Sequence, residues 1–238
     1  AVAAQLYVEM LEAGFTRVGE FHYLHHGLDG SEYADIGEMS ARIGAAAEAS
    51  GIGLTLLPVF YAHAGFGGLP PGAGQRRFVN DIDRFARLFE RCRDIAASLD
   101  GGVAGVAPHS LRAVTPEELA EVVALCPGGP VHIHVAEQKK EVADCVAFSG
   151  RGPVAFLFDN AGVDGRWCLI HATHMTDGEL AAMAANGAVA GLCPVTEANL
   201  GDGTFRATEF VAAGGRYGVG SDSNGLIGVG DELRQLDY

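Results

Sequence analysis

The sequence predicts an α/β fold of the (β/α)8 TIM-barrel type, incomplete, with about strands two to eight present. Three observations carry that expectation. Apolar runs that read as strands alternate with helical stretches roughly seven times along the chain. The runs are continuously apolar rather than alternating, as in a parallel sheet buried on both faces. Polar residues collect where almost every run ends: His22 and Tyr23, Tyr61 and His63, His109, His134 with Glu137, His171 with His174, and Asp222. A barrel builds its site from the C-terminal ends of many strands, whereas a doubly wound nucleotide-binding sheet concentrates its signature in a glycine-rich first turn. No GxGxxG follows any strand here.

AVAAQLYVEMLEAG opens as a helix ended by Gly14, TRVGEFHYL reads as a strand, and DIGEMSARIGAAAEASG has helical spacing with Gly51 at its end. GLTLLPVFY is the next strand, followed by a long helix from about Gln75 to Ala97, the strand VAGVAPHS and the helix TPEELAEVVAL. VHIHVAEQ precedes a helical stretch from about Lys139 to Phe158, and WCLIHATH precedes the helix TDGELAAMAANG. GAVAGLCP leads to a shorter helix near Thr208 to Ala213, and RYGVGSDS leads into the helical pattern DELRQLDY.

The chain has 238 residues, 48% hydrophobic and 19% charged, which suits a substantial core and excludes disorder, collagen-like repeats and coiled coil. With 16 Lys+Arg against 30 Asp+Glu the formal charge is −14. That is the wrong sign for phosphate backbones or anionic lipid, so neither nucleic acid nor membrane is expected as a partner. Cys92, Cys126, Cys145, Cys168 and Cys193 form no CxxC pair, which argues against a zinc ribbon or redox motif. Free thiols point to a reducing, cytoplasmic setting. No run approaches the roughly 18 apolar residues of a membrane span, and the N-terminus lacks the pattern of a signal peptide. The chain starts at Ala1 without a methionine and stops at Tyr238 inside a helical pattern, as expected of a piece of something longer.

The chemistry gathers in VHIHVAE. Side chains alternate along a strand, so His132 and His134 share a face, with His134 nearer the mouth and Glu137 where strand gives way to loop. An imidazole ligand and a carboxylate for proton transfer on one small volume suit metal-assisted hydrolysis. The pattern alone leaves open which of the two histidines is the ligand, and a pair of satisfied strand-end histidines is the plainer alternative. His171 ends the next strand, placed to stabilise a nucleophile or polarise a substrate. Asp222 in GSDS is either a metal-binding, proton-accepting carboxylate or a cap on the next helix. Arg112 follows the strand VAGVAPHS; a guanidinium suits a substrate carboxylate, and a surface ion pair is its alternative. HAGFGGLPPGAGQRR lacks GK[ST], so it reads as an active-site loop or a flexible connection rather than a phosphate loop. His25 and His26 carry no assignment, and Cys193 has no acid–base partner that would make it a nucleophile.

EFHYLHH (Glu20 to His26), HAGFGG (His63 to Gly68), HSLRAV (His109 to Val114), HIHVAEQ (His132 to Gln138), RWCLIHATH (Arg166 to His174), TEANLGDG (Thr196 to Gly203) and GSDSN (Gly220 to Asn224) together span essentially the whole chain. In their order and spacing the sequence resembles the amidohydrolase superfamily, and within it the mononuclear zinc deaminases. HSLRAV and TEANLGDG are the most specific of the matches.

The resemblance implies one zinc ion per chain in the complete enzyme, ligated by His134 and Asp222. Glu137 would shuttle protons, and His171 would stabilise the nucleophile and the tetrahedral intermediate. Arg112, with His109 and Tyr23, would hold the glutamate part of a small-molecule substrate. The implied reaction is hydrolysis of N-formimino-L-glutamate to N-formyl-L-glutamate and ammonia, in histidine breakdown. Residues 1–238 would form a partial metal-dependent barrel domain, without the strand whose HxH pair supplies two further ligands and without the small β-rich domain. The 238 residues alone are therefore expected to hold zinc weakly and to be inactive. A homodimer is compatible with the sequence. Two rival readings stay open: a deaminase acting on a purine, pterin or triazine ring, and a catalytically dead barrel serving as a binding module.

Overall fold

The chain begins with a helix, α1 (Val2–Glu12), that leads into a strand, β1 (Arg17–His22), of a four-stranded sheet. The computed structural model describes residues 1–237, which divide into two units, Ala1–Val131 and the residues from His132 onward. In the first unit β1 pairs in parallel with β2 (Gly53–Phe60), from Arg17 opposite Gly53 to His22 opposite Pro58. Between them runs α2 (Glu38–Ser50), ended by Gly51 in the left-handed conformation, as predicted. Leu56 and Leu57, adjacent in β2, are both fully buried, so this strand is covered on both faces as its continuous apolar run requires.

The predicted strand VAGVAPHS is two short pieces, β3 (Val103–Ala104) and β4 (Ala107–Pro108), both paired with β2. The interruption lies at Gly105 and Val106. Gly105 N–H donates to Leu56 O at 3.0 Å, whereas Val106 N–H turns to Pro130 O at 3.0 Å. A Cβ at residue 105 would lie 2.5 Å from that same Pro130 oxygen, so only glycine fits. Helix α3 (Ile82–Ala97) also starts later than the expected Gln75, because Asp81 caps it, accepting from Arg84 N–H at 2.8 Å. Residues Ala73–Gln75 form a separate 3-10 turn. α3 lies on β2, with Phe85 and Leu88 fully buried and the rings of Phe60 and Phe85 5.2 Å apart. Each such side chain removed from water contributes about 1.5–3 kcal/mol. Helix α4 (Pro116–Ala124) opens with a reciprocal Thr115–Glu118 capping box.

The turn after β1 buries three imidazoles. His25 Nε2–H donates to Val59 O at 2.9 Å, His26 Nε2–H is shared between Val79 O and Asn80 Oδ1 at 3.0 Å each, and His22 lies edge-on to His25. Arg77 O accepts from the backbone N–H of both His25 and His26. These two histidines thus hold a loop together. Burial pushes His22 down to about 4 and His25 down to about 3.

In the second unit a four-stranded sheet runs β5 (Val131–Val135), β6 (Trp167–His171), β7 (Val189–Leu192), β8 (Arg216–Val219). The β6–β7 and β7–β8 pairs are parallel, with Cys168 opposite Val189 and Val189 opposite Arg216. The long helix expected from Lys139 to Phe158 is two helices, α5 (Lys139–Ser149) and α6 (Pro153–Asn160). Gly150, left-handed at φ 73°, ends the first, and Pro153 opens the second, where its missing N–H costs no bond. α7 (Asp177–Asn186) follows with a Thr176–Glu179 capping box. A short helix absent from the sequence reading, α8 (Pro194–Leu200), occupies most of TEANLG. It is opened by Pro194 straight from β7, with no side-chain cap to announce it. α9 (Ala207–Ala212) and α10 (Val229–Asp237) complete the unit. The five cysteines are free, and among the described residues no helix is long and apolar enough to cross a membrane.

The depressed histidines tie stability to pH. His22 and His25 stay neutral in the fold down to about 4 and about 3, while in the unfolded chain they take up protons from about 6.5 downward. The unfolded state therefore binds more protons through that window, and the stability present above pH 6.5 is lost as pH falls. Each is expected to account for about 2 kcal/mol of lost unfolding free energy between pH 7 and pH 5. Urea denaturation at the two pH values checks this, with His25→Gln expected to show a smaller loss than the parent. An unfolding free energy that is flat from pH 7 to pH 5 would contradict it.

Candidate active site

In the second unit the strand ends hold the candidate residues, and they do so on unusual backbone. Ala136, His171, Ala172 and Asp222 all have positive φ, at 51°, 66°, 49° and 52°. None is glycine, so each is held in a sparsely populated conformation by its surroundings. After β5, Glu141 of α5 clamps the chain: its carboxylate accepts from Ala136 N–H at 3.1 Å and from Glu137 N–H at 3.0 Å. Ala172 N–H donates to Val135 O and His174 N–H to Ala136 O, each at 3.0 Å. Strict alternation would send the His171 side chain with the buried Trp167 and Leu169. The left-handed turn re-aims it instead.

The imidazole of His171 is 2% exposed and stacks on His134, with ring centroids 5.5 Å apart and planes 14° from parallel. Its Nε2 lies 3.8 Å from Glu137 Oε1, and its Nδ1 lies 3.1 Å from Glu197 Oε1. Burial alone would lower its pKa. The Glu197 hydrogen bond and the charges of Glu137, Glu197 and Asp222 outweigh that and hold it above the ordinary histidine range. Asp222 itself is exposed at the head of its turn. So His134, Glu137, His171 and Asp222 come together, and the ring stacked on His171 is that of His134. Burial holds His132, deeper in β5, down at about 4. Cys193 follows β7; burial first, then the charges of Asp222, Glu197 and Glu232, pushes its thiol well up, so it remains protonated and unreactive.

The donor set fits a divalent cation. The carboxylates Glu137, Glu197, Asp222 and Glu232 act by their charge on His171 or Cys193. Imidazole and carboxylate side by side in an excess of negative charge are what zinc binding asks for. His171, Cys193 and Glu197 also approach within 4.8 Å of one another. There, however, Glu197 Oε1 already accepts from both His171 Nδ1–H and Cys193 N–H. That trio is bonded to itself.

The sequence motif TEANLGDG drew attention to this region without singling out a residue. Glu197 is the one that matters there, and it is buried. Glu232 of α10, fully buried, accepts from Val195 N–H at 3.0 Å. His174, a strand-end candidate, donates from Nε2 to Asp202 O at 2.6 Å and so holds the loop after α8.

The first unit brings Tyr23, His109 and Arg112 together. Tyr23 and His109 meet at 5.5 Å between ring centroids, and Tyr61 and Phe21 also face His109, at 4.7 and 6.3 Å. Burial first, and then the nearby Arg112 guanidinium, push His109 down to about 3. Ser110 Oγ lies 2.8 Å from its Nδ1. The HAGFGG loop is anchored here: Ala62 and His63 N–H both donate to Ala113 O, and His63 Nε2 lies 2.9 Å from Glu118 Oε2. Arg76 donates to Leu28 O and Ala73 O and Arg77 to His26 O, so both hold loop carbonyls.

The model of the family described as "Amidohydrolase family" matches residues 1–238. A formimidoylglutamate deiminase of Pseudomonas aeruginosa is 58% identical over 240 residues, covering 100% of this chain and 52% of the relative. Among solved structures, an amidohydrolase from Brucella melitensis superposes with a TM-score of 0.98 at 68% identity, over 100% of this chain and 53% of that one. An adenosine deaminase from Xanthomonas campestris, with bound zinc, gives a TM-score of 0.77 at 26% identity, over 98% and 49% of the two chains. The chain thus spans about half the length of the relatives it matches. The parallel α/β sheets are those of the incomplete TIM-type barrel expected from the sequence.

The strained strand ends yield a direct test. Ala172 is fully buried at φ 49°. Ala172→Gly relieves the left-handed strain but loosens the unfolded chain, so the unfolding free energy is expected to stay within about 1 kcal/mol of the parent. Ala172→Val adds a β-branched side chain where neither the backbone nor the core accepts one, and is expected to lose more than about 2 kcal/mol. Urea denaturation of the two variants checks this; a valine variant as stable as the parent would show that residue 172 needs no left-handed backbone.

Proposed function

The chain belongs to the amidohydrolase family, and from that premise we propose that it serves the hydrolytic deimination of N-formimino-L-glutamate to N-formyl-L-glutamate and ammonia. One observation carries the reading: Glu137 lies 3.8 Å from Nε2 of a buried imidazole that stacks on His134 and feels the charge of Asp222. This is a proton-transfer carboxylate, a candidate ligand pair and a polarising imidazole at the ends of β5, β6 and β8. The 58% identical relative supports the choice of substrate. With five free cysteines, the cytosol is the fitting place of action.

Zinc, held by His134 and Asp222, would when bound lower the pKa of a water to about 7. Glu137 takes a proton from the attacking water and carries it to the imino nitrogen, since a carboxylate at the mouth of the site reaches both. His171, whose pKa the carboxylates around it hold up against burial, donates from Nε2, when that nitrogen carries a proton, to the oxygen on which charge develops. Asp222 accepts the water's second proton and returns it to the departing nitrogen. One water is consumed, the C–N bond breaks, a carbonyl forms, and ammonia leaves. Arg112, with His109 and Tyr23, holds the glutamate carboxylates; His109, kept neutral at its depressed pKa, adds no competing charge.

A second reading has one observation in its favour. Tyr23, Tyr61 and Phe21 form an aromatic group around His109, which would suit a planar ring substrate of a purine, pterin or triazine deaminase. Arg112 beside the same histidine, matched to an anionic substrate, decides for the smaller acidic one.

Two variants of the full-length, zinc-loaded enzyme test the assignment. Glu137→Gln is expected to keep its zinc and lose at least about 10²-fold in kcat, the usual contribution of a general acid–base group. Elemental analysis and ammonia release measure both, and near-parental kcat would end the proton-shuttle assignment. Arg112→Met is expected to weaken formiminoglutamate by about 2–5 kcal/mol, seen as a raised KM, with zinc content unchanged. A panel including purines and triazines should show ammonia release from formiminoglutamate above all others. A variant that binds formiminoglutamate as tightly as the parent would place the carboxylate elsewhere.

A further inference from the structure

Glu197 takes no part in the steps above, yet its carboxylate is the group that bonds His171 directly. It is 3% exposed and sits in α8, one residue after Thr196, whose hydroxyl donates to Ser221 O at 3.2 Å. Its own N–H donates to Cys193 O at 2.9 Å, and its Oε1 accepts from Cys193 N–H at 2.9 Å. The acid is therefore fixed by backbone on the β7 side before it meets His171 Nδ1 at 3.1 Å.

A carboxylate can only accept, so the proton of that bond lies on Nδ1. Nε2 is then the nitrogen left facing Glu137. Nothing in an imidazole itself chooses between its two ring flips; the partner of one nitrogen decides where the other points. His171 has particular need of such a partner, because its left-handed φ of 66° removes it from the regular strand that would otherwise set its direction.

We propose that Glu197 is a positioning residue for the deimination, holding a proton on Nδ1 and the ring orientation of His171 so that Nε2 is presented to the reacting groups. The kinetic consequence rests on the deimination reading; the state of the imidazole does not. The role parallels that of buried acids that orient a catalytic histidine through the nitrogen remote from the chemistry. It separates two neighbouring glutamates by function: Glu137, partly exposed, moves protons, and Glu197, buried, moves none.

Selective 15N-histidine labelling of the full-length, zinc-loaded enzyme tests the first part, with His171 assigned by the resonances missing from His171→Gln. The parent is expected to show a protonated, slowly exchanging Nδ1, and Glu197→Met is expected to abolish the slow exchange. An unprotonated Nδ1 in the parent overturns the proposal, whether or not any variant folds. In the kinetic arm, Glu197→Met is expected to lower kcat for formiminoglutamate by at least about 10²-fold with KM within about threefold of the parent. Glu197→Gln, which keeps an acceptor for Nδ1–H, is expected to recover about tenfold or more of that loss. Parental kcat in Glu197→Met at equal zinc content overturns the proposal. A parent that releases no ammonia from formiminoglutamate defeats the deimination reading instead, and the Nδ1 result still decides the role of Glu197.

Discussion

Parallel pairing is the constraint on which the rest of the molecule depends. Strands that run the same way end on the same side, so each sheet has one edge where polar side chains collect without entering the core. In the second unit that edge carries His134, His171 and, after β8, Asp222. A strand alone cannot bring them together, because its pleat sends alternate side chains to opposite faces. The left-handed residues at 136, 171, 172 and 222 break the pleat where the strands end. The strain they store is held by bonds such as Glu141 on the Ala136 and Glu137 amides.

The same edge solves an electrostatic problem. Buried carboxylates are costly unless each finds a donor, and the second unit supplies backbone N–H groups for most of that work. Glu141 takes two amides after β5, Glu179 takes those of Ala155 and Thr176, Glu197 takes Cys193 and Glu232 takes Val195. Amides neutralise an acid without adding a cation. The field around His171 consequently remains negative, which raises its pKa and suits a divalent ion.

Much of this was legible because barrel chemistry sits at strand ends, which sequence can locate. His134, Glu137, His171 and Asp222 were named from that rule and are neighbours in the fold. The grouping of Tyr23, His109 and Arg112 came from resemblance, since no local pattern connects the end of β1 to the turn after β4. Boundaries failed where a short signal was outweighed by a long one. The periodicity from Lys139 to Phe158 hid the stop at Gly150 and the restart at Pro153, and a helix as short as α8 has too few turns to show a period. Glu197 escaped for a different reason. Its bond to His171 crosses 26 residues and exists only because β6 and β7 lie side by side in register.

The His63–Glu118 contact has a consequence for engineering. Glu118 caps α4 through Thr115 N–H at 2.8 Å and at the same time grips the His63 ring at 2.9 Å. The loop from His63 and the turn that carries Arg112 are thus mechanically one piece, joined at an acid that belongs to neither. Groups sharing such a network couple by about 0.5–3 kcal/mol, so their substitutions do not add. Grafting a foreign loop onto this scaffold, or shuffling it between relatives, has to move Glu118 with its histidine; the segment that travels as a module is discontinuous in the chain.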